Sequence, residues 1–166
     1  MVPSPFAADL ILAVGSAGIY RAIDAGVTWT RVAEEPTIPG SPPGFAVFND
    51  VAWATAERAY ASNERGGLYV SQDAGKTWAP ASGASVPVFP WLGEIAVDPI
   101  HPDHLLALAR PGLTDNWFSM VVHSEDGGLT WVALSAGLAG WSLSDLAIDP
   151  VTPNRFYVSA TGGGVL

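Results

Sequence analysis

The sequence predicts an all-β fold made of repeated four-stranded antiparallel units, and three recurrences predict it. An eight-residue pattern appears as Ala22-Ile-Asp24-Ala-Gly26-Val-Thr28-Trp29, as Ser71-Gln-Asp73-Ala-Gly75-Lys-Thr77-Trp78 and as Ser124-Glu-Asp126-Gly-Gly128-Leu-Thr130-Trp131, its tryptophans 49 and then 53 residues apart. An apolar-alternating stretch recurs at Asp50–Trp53, Glu94–Pro99 and Asp145–Pro150, and a third motif follows it at Arg58–Ser62, His104–Ala109 and Arg155–Ala160. Short alternating segments bounded by Gly, Pro and Asn/Asp turns are antiparallel strands, and no 3.6-residue apolar period competes with them.

Taken in order, each unit holds strand A (Val51–Ala54 and equivalents), strand B (Ala59–Ser62), strand C (Gly67–Ser71) and strand D (Thr77–Ala79). A period near 50 residues suits one four-stranded blade of a β-propeller. The expected organisation is strands B-C-D of a first blade over 9–33, a second blade over 50–80, a third over 93–134, and strands A-B-C of a fourth over 144–166. Asp9–Tyr20 aligns without gaps on Arg155–Leu166, which sets the phase at both ends and gives 14 strands, about three to three and a half blades. Propellers close with roughly 4–8 blades, so the expectation is a partial propeller whose remaining blades come from a longer chain. The alternative is a homodimer completing the ring, and it places two strands too many at each junction.

Composition narrows the partners. Hydrophobic residues make up 49% of the chain and charged residues 14%, with 16 acids against 7 bases for a net charge of −9. Such a chain cannot neutralise a phosphate backbone, so no nucleic-acid partner is expected. The lack of cysteine excludes a disulfide framework and a thiolate metal site. No membrane insertion is expected either, because the apolar Leu10–Val14 is too short for a span or a signal core and residues 1–5 carry no basic charge.

The segments 71–78 and 124–131 read Ser-x-Asp-x-Gly-x-Thr-Trp, 22–29 differs only by Ala22, and Asp-Pro-x-x-Pro turns stand at 98–102 and 149–153. With these motifs the chain resembles the Asp-box (BNR) repeat β-propeller superfamily, which includes sortilin-like receptors, xyloglucanase-like glycosidases, sialidases and photosystem II assembly factor propellers. The resemblance implies the fold, and an extracytoplasmic or secreted location. It implies no single activity, since these families share blades and differ in sites. Asp24, Gly26, Trp29, Ser71, Asp73, Gly75, Trp78, Ser124, Asp126, Gly128 and Trp131 are expected to be structural. The Asp accepts turn N–H groups, the Gly takes a positive φ and the indole covers the hairpin. A calcium loop is excluded because the further acidic ligands are missing.

In an up-and-down meander the box turns and the A–B turns share one face, while B–C and D–A connections share the other. The long connections 33–49, 80–93, 109–118 and 135–144 all fall on that second face, and binding residues concentrate on long loops held by a rigid scaffold. They carry Phe45, Phe48, Phe89, Trp91, Trp117 and Trp141. Of these, Phe45, Phe48, Trp91, Trp117 and Trp141, with Asp115, are candidate ligand-binding residues for sugar rings or apolar side chains. Asp50, Glu94 and Asp145 each immediately precede strand A, so an innermost strand A would ring the channel mouth with acids; local turn bonding is the other reading. A glycosidase needs two carboxylates, and only these three, Asp115 and Glu34 are candidates for them.

Other chemistries find less support. Sialidase chemistry is disfavoured because most arginines occupy repeat-equivalent positions. No Gly-x-Ser-x-Gly elbow, His-Glu-x-x-His pair or phosphate-binding glycine loop occurs, and no cofactor is expected. Asp98, His101, Asp103 and His104 are read as turn residues rather than metal ligands, because the equivalent turn keeps its Asp-Pro yet carries Thr152, Asn154 and Arg155. The expected function is a non-catalytic module presenting loops to a protein or glycan. The alternative is a fragment of a glycoside hydrolase, xyloglucanase-like, acting on polysaccharide.

Overall fold

A computed structural model describes residues 1–34, 47–65, 67–81, 91–110, 119–134, 137–138, 141–152, 155–161 and 164–165. Its strands are β1 (Val2–Pro3), β2 (Ile11–Gly15), β3 (Gly18–Ala22), β4 (Thr30–Glu34), β5 (Phe48–Trp53), β6 (Ala59–Asn63), β7 (Leu68–Ser71), β8 (Ala79–Pro80), β9 (Trp91–Val97), β10 (Leu105–Arg110), β11 (Met120–Ser124), β12 (Val132–Ala133), β13 (Leu143–Ile148), β14 (Phe156–Ala160) and β15 (Gly164–Val165). They form three four-stranded sheets, β1–β4, β5–β8 and β9–β12, and a three-stranded sheet β13–β15, each an antiparallel meander in chain order. Four successive blades of a partial β-propeller result.

Two boundaries differ from the sequence reading. The first sheet has a strand A after all, with Val2 opposite Leu12 and Pro3 opposite Ile11. Two residues are too few to show alternation, and proline is tolerated here because β1 lies at a sheet edge. The other strands A begin earlier than expected, at Phe48, Trp91 and Leu143, so Asp50, Glu94 and Asp145 lie inside the strands rather than before them.

The core lies between blades, and the two-residue period of a strand explains how. In β10, Leu105, Ala107 and Ala109 pack toward the second blade with Tyr60, Leu68, Leu92 and Val122, while Leu106 and Leu108 pack toward the fourth with Leu143, Leu146 and Val158. In β6, Ala59 and Ala61 join Leu12, Ile19 and Val51 on the side of the first blade, and Tyr60 faces the third. A strand buried on both faces is largely apolar: β10 runs Leu-Leu-Ala-Leu-Ala before Arg110, and β6 runs Ala-Tyr-Ala before Ser62 and Asn63, which are buried polar residues.

Candidate functional site on the inner strands

Each Asp box is the turn between the third and fourth strands of its blade. In the second box, Asp73 Oδ1 accepts the Lys76 and Thr77 N–H groups at 3.0 and 2.9 Å, and Oδ2 accepts the Thr77 hydroxyl at 2.7 Å. Ser71 Oγ donates to Asp73 Oδ1 at 2.9 Å and accepts the buried Gly75 N–H at 2.9 Å, and Trp78 Nε1 donates to the Gly75 carbonyl. The third box repeats this through Ser124, Asp126, Gly128, Thr130 and Trp131. The threonine hydroxyl and N–H are the main reason why Asp73 and Asp126 are each pulled down to about 2. Ala22 supplies no hydroxyl to the first box; Asp24 still holds Thr28, but Trp29 lies 39% exposed. The box carboxylates therefore spend their acceptor capacity on their own turns.

The inner strands β5, β9 and β13 run side by side, and each carries its acid at a break in register with the second strand of its blade. Such a bulge re-aims the side chain beside it. Across the blade junction, Asp50 Oδ2 accepts the Ile95 N–H at 3.0 Å and Asn49 Nδ2 donates to the Leu92 carbonyl at 2.7 Å. Buried Ser62 extends this bridge, since its hydroxyl donates to the Gly93 carbonyl and accepts the Asp50 N–H at 3.1 Å. Glu94 is half-buried between its two neighbours. Burial, then the charge of Asp50, a direct hydrogen bond to Asp50 and the charge of Asp145 push its carboxyl up to about 7, against a smaller downward pull from the amino terminus. Asp145 is exposed, and its Oδ1 accepts the Leu146 N–H at 2.8 Å.

Comparison with known proteins bears on the fold. The family model described as BNR/Asp-box repeat matches residues 69–80. Among solved structures, an ancestral GH74 enzyme superposes with a TM-score of 0.68 at 17% identity, over 98% of this chain and 22% of that one. The GH74 xyloglucanase from Xanthomonas campestris gives 0.53 at 23% identity, over 98% and 35%. YCF48 bound to D1 peptide gives 0.54 at 18% identity, over 89% and 42%. The chain carries BNR/Asp-box repeats on a β-propeller fold. No curated protein sequence matches it. It spans less than half the length of each of these three structures, and identities this low establish the fold alone.

Within this Asp-box propeller the loop aromatics do not behave alike. Phe48, expected on the binding face, is 2% exposed and packs edge-to-face on Tyr69 at 5.2 Å, which makes it a core residue. Its place at the start of β5 points it between the first two blades, where burying the ring is favourable. Trp91 folds back over Gly93 and carries the Arg110 guanidinium 4.1 Å above its ring, an arrangement in which a cation–π contact fixes the indole. Trp141, two residues before β13, is 38% exposed. Phe45, Phe89, Asp115 and Trp117 lie outside the described residues. Glu34 is exposed at the end of β4 and pairs with Arg31 at 2.7 Å.

Sequence reasoning missed Asn49 and Ser62, although one signal was present: Ser62 and Ser159 are repeat equivalents. Ser159 likewise reaches the inner strand of its own blade, with its hydroxyl 2.9 Å from that of Ser144. The propeller thus brings Asp50, Glu94 and Asp145 together at the end of the inner strands, next to Trp91, with Trp141 near the start of β13.

Proposed function

We propose that this Asp-box propeller is a non-catalytic module that offers the face of its long connections to a protein or glycan partner. The observation that carries the reading is the tie of Asp50 to the neighbouring blade, its Oδ2 accepting the Ile95 N–H at 3.0 Å. A glycosidase holds its two carboxyls about 5–10 Å apart so that a sugar linkage fits between them. A carboxylate committed to a backbone N–H of the next blade and crowded by Glu94 is poorly placed to serve as one of such a pair. Exposed Trp141 supplies the flat apolar surface that a sugar ring or an apolar side chain stacks on. Structural neighbours that include a peptide-bound protein and a xyloglucanase accord with either class of partner.

One observation favours a second reading, a fragment of a polysaccharide hydrolase. A carboxyl pushed up to about 7 retains a proton near neutrality, as a general acid must, and Asp145 would then be its partner. A glycan array and an immobilised peptide library, probed with the same protein, test the leading reading. Binding to a member of either set, weakened roughly tenfold by Trp141→Ala with unfolding unchanged, supports it. Binding to neither, or binding indifferent to Trp141, counts against it.

A further inference from the structure

We infer that Asp98, His101 and His104 form a binding site for a zinc-type divalent transition metal on the face that carries the Asp boxes. The three sit in the turn between β9 and β10, and one ligand atom from each lies within 4.8 Å of the others. The turn is closed by its backbone: the Asp98 N–H donates to the His104 carbonyl at 3.0 Å, and the His104 N–H to the His101 carbonyl at 2.8 Å. Asp98 Oδ1 accepts the Ile100 and His101 N–H groups at 2.7 and 3.1 Å. Oδ2 takes no part in the turn and faces His101 Nδ1 at 3.4 Å. The two imidazoles stack at 4.9 Å, which brings both rings to the same side of the carboxylate.

The equivalent turn in the fourth blade shows that this backbone does not require histidine. There Asp149 Oδ1 accepts the Val151 and Thr152 N–H groups, both at 2.9 Å, and the same two backbone closures run between Asp149, Thr152 and Arg155. Its Oδ2 is occupied by the Tyr157 hydroxyl at 3.3 Å and the Arg155 guanidinium at 3.8 Å. His104 stands at the position of Arg155, and His101 at that of Thr152. Where the fourth blade answers its carboxylate with a built-in cation, the third gathers two imidazoles around it. Two nitrogens and one carboxylate oxygen are a donor set for zinc, nickel or copper, whereas calcium and magnesium call for oxygens throughout. Three protein ligands leave a tetrahedral position for water or an added ligand. A cavity of about 210 Å³ between the third and fourth blades, lined in part by Asp98, His104, His123, Arg155 and Phe156, adjoins that position.

Isothermal titration of the intact, tag-free protein with zinc chloride tests the site, with His101→Thr and His104→Arg as variants because the fourth blade folds the same turn with those residues. The expected result is saturable uptake of one zinc ion per chain, weakened roughly tenfold or more in each variant while the unfolding midpoint of the metal-free protein stays put. Asp98→Asn keeps an oxygen for the turn and is expected to weaken binding too, whereas His123→Ala leaves it unchanged. Failure to take up zinc saturably, uptake that survives both histidine variants, or uptake lost in His123→Ala instead, overturns the assignment.

Discussion

Gly75 of the second Asp box lies against Leu12 of the first blade, so closely that a Cβ on Gly75 would come within 2.6 Å of Leu12 Cδ2. Leu12 is fully buried, so its side chain must shift within the packed core to admit a Cβ, and the glycine φ of 79° disfavours any side chain. Gly128 meets Leu68 of the preceding blade in the same way. The box is therefore a spacer between blades as well as a turn. Gly75→Ala and Gly128→Ala are expected to cost about 2–4 kcal/mol each, strain and overpacking together. Gly26→Ala, whose nearest neighbours would be 3.6 Å away, should cost only the backbone strain of about 1–2 kcal/mol. Urea denaturation of the three variants checks the order.

The residue before each box glycine also has a positive φ, 57° at Ala25, 59° at Ala74 and 72° at Gly127. In all three boxes its N–H donates to the A–B turn of its own blade, at Asp9, Glu57 and Asp103. Only the third box uses glycine there. Ala25→Gly and Ala74→Gly are expected to stabilise the protein by about 0.5–1 kcal/mol, which thermal unfolding would register as a raised midpoint.

Ser71 and Ser124 each serve two partners, the box carboxylate and the buried glycine N–H. Replacing either with alanine strands that N–H and is expected to cost about 1–3 kcal/mol. The first box, with Ala22 and an exposed Trp29, shows what the hairpin looks like without this link. Quenching of tryptophan fluorescence by added iodide should rise in Ser71→Ala as Trp78 loosens. Unchanged quenching and unchanged stability would contradict the assigned role.

The box carboxylates and Glu94 give stability opposite pH dependences. Asp73 and Asp126 titrate at about 2 in the fold, below the ordinary carboxylate value, so their contribution is present above about pH 4 and fades as pH falls through 2. Glu94 titrates at about 7, above its ordinary 4.5, so the fold favours its protonated form. Its contribution is whole below pH 4.5 and is lost as pH rises through 7. Glu94→Gln keeps a donor toward Asp50 without the charge, and should match the wild type near pH 4.5 while being the more stable protein at pH 8. Denaturation midpoints at both pH values decide it.

These cases show where the sequence was readable. The boxes were legible because an Asp, a Gly and a Thr at fixed offsets determine their own hydrogen bonds within eight residues. The burial of β10 on both sides matches its run of five apolar residues, Leu105–Ala109, whereas in β6 polar Ser62 and Asn63 are buried as well. Strand β1 was not legible, being two residues long, nor was the true start of β5, where a bulge absorbs one residue and breaks the alternation at Asp50. Phe48 and Trp141 look alike as loop aromatics, yet one is buried at the junction of two blades and the other is 38% exposed. The three acids could be placed by repeat alignment, but the pairing of Asp50 with Glu94 depends on how neighbouring blades meet, which no local pattern records.

Release of reducing ends from xyloglucan, followed over a long incubation with wild-type protein and with Glu94→Gln and Asp145→Asn, tests the non-catalytic reading most directly. The commitment of Asp50 to the blade junction predicts no release above the buffer blank in any of the three. Release by the wild type that disappears in Glu94→Gln and in Asp145→Asn would contradict it and assign the inner-strand acids to hydrolysis.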